Sequence, residues 1–477
     1  MTTCLLRRRP RASLAVLTLA LAGMTAAPAL PLPDDAAGLR ARLEARFLGD
    51  RSGACVQALL IDGPRSLRAS TCAGTRADPA PPGDAGFEIG SITKTMTAYL
   101  VADLIEQGRW SLDDPIARHL PTGTALPSQG ARQILVRDLL THSAGLPAVP
   151  PGMPVPDLTN FYGALTEEGL LAVLGATGLQ QAIGSRAVYS NFGMMLVSLA
   201  VARAYGGDLA GALQRRLFEP LGMRGAGLGD DSAALMARGH LPGGLRAASW
   251  QITPSLGGFG AVRATLADME RYARAELGEA PADVLARLRM TQQPLGHGFA
   301  MNWRVPQLQG RTLLTHDGAT GGFSALMVLE PAAHRAVVLL ADTSLLDLGG
   351  LDDLGLSLLG LDVPVQAPRR AIELPTALRH ELAGDYAFGD LALRLWESAD
   401  GRLMARFGGR EPFELRLDSR GDLYPLTFSG LLEPGTPPQR QLRWHQAGGL
   451  VLGRRVDPTG AGASPGELSP SARTRGW

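Results

Sequence analysis

The sequence predicts an α/β protein of the α+β type: a large domain on a mostly antiparallel sheet, then a small all-β domain. Three observations carry this. Strand-type runs stand near both ends of residues 30–365, with helical patterns between them. Short alternating strands follow residue 366. A chain of 477 residues, 45% hydrophobic and 19% charged, suits one large core and one smaller one.

Taken in order, residues 1–29 read as a secretory signal. Arg7, Arg8, Arg9 and Arg11 precede a short apolar run, Leu14 to Ala27, and small residues that allow cleavage near Ala29. The run is shorter than the roughly 20 residues a membrane-spanning helix needs. The expectation is a bacterial periplasmic or secreted protein with no stable membrane anchor once the signal is removed. Without those four arginines the formal charge of +1 becomes −3. No basic stripe stands out, so nucleic acid is excluded as a partner.

Ala36 to Phe47 has the spacing of an amphipathic helix. Residues 54–61 and 66–72 read as strands around the turn Asp62-Gly63-Pro64-Arg65. That hairpin sets Cys55 opposite Cys72, either as a disulfide or as two free thiols. Ala77 to Ala85 is a Pro/Gly/Asp-rich loop, and residues 86–290 are mainly helical. Strands are expected at Arg311 to Thr315, Phe323 to Leu329 and Arg335 to Ala341, then a helix over Leu345 to Leu361. Gln366 to Arg370 reads as a linker. Residues 366–456 form the β domain, in which Leu391, Leu393 and Leu395 alternate ahead of a turn at Asp400-Gly401. Residues 457–477, rich in Pro, Gly and Ser, form an expected disordered tail.

The chemistry begins with a count. Of 46 basic residues, 45 are arginine, and Lys94 is the only lysine. Arginine supplies charge but cannot lose its proton, whereas a desolvated lysine can. A lone lysine therefore marks a position that needs deprotonation. Lys94 follows Ser91 by three residues at the start of a helical pattern (Met96, Leu100, Leu104) that Gly108 ends. Residues i and i+3 share a face, so the amine reaches the hydroxyl, and a neutral lysine can activate a serine. Ser91 as a simple helix cap is the alternative.

Two further motifs follow. Tyr189-Ser190-Asn191 precedes the helical run Met194 to Ala204, and His316-Asp317-Gly318 stands at a strand end before Ala319. With these, residues 36–362 resemble the class C β-lactamase and D-Ala-D-Ala carboxypeptidase group of serine hydrolases, whose motifs are Ser-x-x-Lys, Tyr-x-Asn and (Lys/His)-x-Gly. Leu139 to Pro147 and Glu219 to Met223 also look like that group.

The resemblance implies a β-lactamase/transpeptidase-like fold, with helices on both sheet faces and a helical subdomain. It implies that Ser91 is acylated while Lys94 and Tyr189 move protons. Asn191, His316, Gly318 and Ala319 would bind substrate, and the N–H groups of Ser91 and Ala319 would form an oxyanion hole. The bland alternatives are a packed tyrosine, a helix cap at Asn191 and a histidine bonded to backbone at 316.

The third motif departs from the Lys-Thr-Gly of class C β-lactamases. Histidine carries less charge, and Asp317 adds a negative group, so recognition of a substrate carboxylate should weaken. The expected function is hydrolysis of amide bonds in β-lactams or D-Ala-type cell-wall peptides. The alternatives are an esterase of the same family, or a penicillin-binding sensor or scaffold that does not turn over. No cofactor or metal is expected, because the eight histidines show no ligand spacing. Gly462-Ala463-Ser464-Pro465-Gly466 imitates a nucleophile elbow but lacks a flanking strand and helix.

Overall fold

The computed structural model describes residues 30–76, 78–156, 160–435, 441–446 and 449–456. The expected signal, the expected tail and the elbow imitation at 462–466 lie outside the described residues.

Five antiparallel strands form the central sheet: β1 (Cys55–Asp62), β2 (Arg65–Cys72), β3 (Leu314–Ala319), β4 (Ser324–Glu330) and β5 (Arg335–Ala341). Their order is β2-β1-β5-β4-β3. Alternation along β1 sends Val56, Ala58 and Leu60 to one face. There they meet Leu39, Leu43 and Phe47 of α1 (Ala36–Phe47). Leu59 and Ile61 join the opposite core, which holds α2 (Thr93–Glu106), α3 (Asn191–Ala204) and α4 (Leu266–Glu276). With both faces covered, β1 is buried almost throughout. Asp35 caps α1 by accepting a bond from Gly38 N at 2.7 Å. β2 lies at the sheet edge and carries Arg65, Ser66 and Arg68, charged and polar groups that suit an edge.

Cys55 and Cys72 face each other in the β1–β2 register and form a disulfide. Closing a loop with a sequence separation of 17 stabilises the fold by about 3 kcal/mol in the chain-entropy account.

Two sequence expectations are corrected. The strand expected at Arg311 to Thr315 is split, because Gln307–Leu308 pairs with Arg311–Thr312 around Gln309 and Gly310. Both turn residues have positive φ, the geometry of a tight two-residue hairpin. The sheet strand starts only at Leu314, so His316-Asp317-Gly318 runs within β3. Leu345 to Leu361 is not one helix. Gly349 and Gly350 take left-handed φ and divide it into a turn, Leu346–Leu348, and α5 (Asp352–Leu358).

The C-terminal domain is a closed barrel of eight strands: Gly384–Phe388, Leu391–Glu397, Leu403–Phe407, Phe413–Asp418, Leu423–Pro425, Leu431–Pro434, Gln441–Gln446 and Gly449–Arg455. Each pairs antiparallel with the next, and the last pairs with the first through Tyr386 and Arg455. Tyr386, Leu393, Leu395, Leu403, Leu415, Leu423, Leu432 and Leu442 form its core. At this strand number the interior is narrow enough for side chains to fill. The segment read as a linker is pinned. Arg369 N donates to Asp50 at 2.7 Å, and its guanidinium bonds Asp418 at 3.0 Å and Asp422 at 2.5 Å.

Candidate active site

The strand Gly86–Glu88 leads into a single turn, Gly90–Ile92, which continues as α2. This turn presents Ser91 at the helix start, with Lys94 one turn on. Lys94 Nζ lies 2.8 Å from Ser91 Oγ and donates to the Phe259 carbonyl at 2.6 Å. The lysine is fully buried, and both bonds go to uncharged oxygens. Desolvation holds its pKa well below the ordinary lysine value.

Tyr189 immediately precedes Ser190, the cap of α3, and is held from behind by the Leu139–Pro147 stretch. Val188 N donates to the His142 carbonyl at 2.8 Å, and Ser190 N to His142 Nδ1 at 3.3 Å. The His142 ring packs on Tyr189 at 4.5 Å. Gly145 allows this fold-back, since φ is +77° and a Cβ there would fall 2.5 Å from the Gln181 carbonyl. Tyr189 OH donates to Ser91 Oγ at 2.6 Å. Burial raises the phenol, so it stays protonated.

The structure gives the α3 cap to Ser190, whose Oγ accepts from Gly193 N at 2.9 Å. Asn191 is therefore free of that duty. Its Nδ2 donates to Tyr162 OH at 2.9 Å, and its Oδ1 is buried without a partner among the described residues. Tyr162 packs edge-on against Phe259 at 4.8 Å and Trp250 at 5.1 Å, which ties Asn191 to the wall behind Lys94.

β3 supplies the other side. A Cβ on Gly318 would fall 2.0 Å from the Ile89 carbonyl, and one on Gly90 would fall 2.6 Å from Ala319 N. Glycine at both positions lets two backbones touch, bringing the Ala319 amide beside the Ser91 turn. His316 is 1% exposed, and its Nδ1–H donates to the Asp317 carbonyl at 2.7 Å. It thus makes the backbone bond that the bland reading anticipates. Burial lowers its pKa and keeps it neutral. Asp317 pairs with Arg304 at 2.8 Å. A cavity of about 340 Å³ opens beside these groups, lined by Arg186, Ala187, Tyr189, His297, Phe299 and Arg304. Among the described residues, no three His, Cys, Asp or Glu side chains gather to hold a metal.

The Beta-lactamase family profile matches residues 41–354 of the chain. The chain belongs to the β-lactamase family. Its similarity to the D-alanyl-D-alanine-carboxypeptidase/endopeptidase AmpH of Escherichia coli K12 is 31% identity over 141 residues, 30% of this chain and 36% of AmpH. The chain thus matches about a third of that relative's length. Among solved structures, a class C β-lactamase shares the fold with TM-score 0.54 and 19% identity, covering 65% of this chain and 92% of the other. SurE aligns over 88% of this chain and 98% of its own, at TM-score 0.53 and 24% identity.

Several members of this candidate site carry no signal in the sequence. The Phe259 carbonyl acts through backbone, and Tyr162 is one tyrosine among seven. Arg304 is one arginine among 45. His142 lies inside a recognised stretch, but its contact with Tyr189 appears only in three dimensions.

Proposed function

We propose that this chain is a serine hydrolase that forms an acyl-enzyme at Ser91 and cleaves amide bonds, in D-Ala-type cell-wall peptides or in β-lactams. The observation that carries the reading is the placement of Ser91 Oγ between a fully buried lysine at 2.8 Å and a tyrosine hydroxyl at 2.6 Å. A serine needs a base, and a lysine held neutral by burial is one. Its second bond, to the Phe259 carbonyl, leaves a lone pair for the Ser91 proton.

In the proposed cycle, neutral Lys94 accepts the Ser91 proton as Oγ bonds to the substrate carbonyl carbon. The amides of Ser91 and Ala319 hold the resulting oxyanion. The scissile C–N bond breaks as Lys94, through Tyr189, returns the proton to the leaving amine. Water then attacks the acyl carbon, gives its proton to the same pair, and releases the acid and free Ser91. Asn191 offers its amide to the acyl donor, and Gly318 allows the approach of β3. The activities that AmpH and the class C β-lactamase are named for lie in this reaction class.

We also infer an exported protein. The disulfide suits an oxidising compartment, and the basic and apolar N-terminus suits export. No helix among the described residues is long and apolar enough to cross a membrane.

The test incubates wild type and Ser91→Ala with a β-lactam, a D-Ala-D-Ala peptide and a nitrophenyl ester. Intact mass reports acylation, and product release reports turnover. Acylation confined to wild type is expected, with turnover of an amide. Equal hydrolysis by Ser91→Ala would overturn the mechanism, and a stable adduct without turnover would make the protein a sensor.

A further inference from the structure

The same site contains a pair that the reaction itself does not require. Arg304 lines the same cavity as Tyr189, whose hydroxyl bonds Ser91 Oγ, so it faces the space beside that pair. An arginine in such a place is the natural partner of a carboxylate, because its planar fork matches two oxygens. Here the chain supplies the carboxylate itself. Arg304 Nη1 lies 2.8 Å from Asp317 Oδ1.

Both members are held by backbone. Arg304 N donates to the Thr315 carbonyl at 3.1 Å, and Thr315 N donates back to the Arg304 carbonyl at 2.9 Å. Asp317 follows two residues later on β3, between His316 and Gly318. The side chains are 23% and 34% exposed, so the pair sits at the cavity edge, partly withdrawn from water.

The neighbouring cations do not replace Arg304. Lys94 and His316 are buried and held neutral. Burial works to raise the Asp317 carboxyl, but Arg304 and the other groups around it together hold it below its ordinary value. Arg186 and His297 line the same cavity and are exposed. The Arg304–Asp317 pair therefore sums to no net charge, and a second carboxylate approaching Arg304 would meet Asp317.

We propose that Asp317 occupies Arg304 in the position a substrate carboxylate would take, so that the site favours acyl donors whose leaving group carries none. Internal peptide bonds, carboxamides and esters fit this description. C-terminal D-amino acids with a free carboxylate do not. The inference rests on Ser91 being the nucleophile and narrows which amides it attacks. Asp317 is a specificity-determining residue in this account and takes no part in bond making.

The experiment compares two N-acylated D-Ala-D-Ala peptides, one ending in a free carboxylate and one in a carboxamide. Wild type, Asp317→Ser and Asp317→Asn are assayed, with Ser91→Ala as the blank. Wild type is expected to favour the carboxamide in kcat/KM by roughly tenfold or more, the scale of a like-charge contact. Both variants should lose that preference, chiefly through a lower KM for the free acid. A wild-type preference for the free acid would overturn the inference, as would variants that keep the wild-type ratio. If the variants fail to fold, the wild-type ratio decides alone. If neither peptide turns over, the pair is titrated as competitors of a nitrophenyl ester, and stronger competition by the free acid refutes the proposal. Hydrolysis by Ser91→Ala would instead refute the nucleophile assignment, so the two failures are distinct.

Discussion

At the scale of single residues, two buried ionisable groups make opposite demands on pH. Lys94 is the proposed base, and burial lowers its pKa. Activity that needs the neutral amine should rise with pH along an acid limb placed well below 10.5 and then hold. Lys94→Arg replaces the neutral amine with a group that cannot lose its proton, so kcat/KM for acylation is expected to fall by about 10²–10⁴. A stopped-flow acylation assay across pH checks both statements. Glu276 lies under the same helix. Thr95 Oγ1 of α2 is 2.9 Å from Tyr272 OH, Tyr272 bonds Glu276, and Gln292 Nε2 donates to Glu276 at 2.6 Å. Burial raises this carboxyl from 4.5 to about 7. The folded state then holds the proton more tightly than the unfolded one, so stability is greatest below pH 4.5 and declines toward pH 7. The span is on the order of 3 kcal/mol. Denaturant melts at pH 4.5 and 8 should show that slope in wild type and its loss in Glu276→Gln.

At the scale of elements, the site is made by two backbones in contact. β3 lies against the Ile89–Ser91 turn only because Gly318 and Gly90 lack side chains. Gly318→Ala should force the strand away from Ser91 and displace the Ala319 amide. The expected results are a kcat loss of about 10²-fold or more and a destabilisation of about 1–3 kcal/mol. Ester hydrolysis and a thermal melt on the same sample test both. Elements were also where sequence patterns read well or poorly. Ala36–Phe47 and Arg335–Ala341 have the predicted bounds, because an unbroken apolar period dictates each. Arg311 to Thr315 and Leu345 to Leu361 did not form as single elements. Backbone reversals at Gln309-Gly310 and Gly349-Gly350 interrupt runs that composition alone leaves continuous.

At the scale of the whole molecule, the barrel is fastened to the α/β domain by a buried ion cluster. Asp418 of the barrel accepts from Arg51 and Arg369, each at 3.0 Å, and Arg51 lies 3.6 Å over the Tyr424 ring. Leu426 meets Gly243, whose segment continues through His240 to Gly322, beside the β3–β4 turn. Removing one member of a buried pair strands the other charges. Asp418→Ala is therefore expected to cost about 3–5 kcal/mol, read by urea unfolding. An unchanged midpoint would show the two domains to be independent.

The sequence by itself determined the chemistry on offer. One lysine among 46 cations, three residues after a serine, with a tyrosine motif and a histidine motif following in order, singled out the candidate groups. Local spacing suffices for Ser91 and Lys94, since a helix fixes i and i+3 on one face. Only the tertiary structure decided what surrounds them. It brought Tyr189 to 2.6 Å from Ser91 across 98 residues of chain, and it buried Lys94 and His316 into neutral forms. It also paired Asp317 with Arg304 and locked the supposed linker to the barrel. Burial and long-range pairing set each group's charge, and neither leaves a periodic trace in sequence.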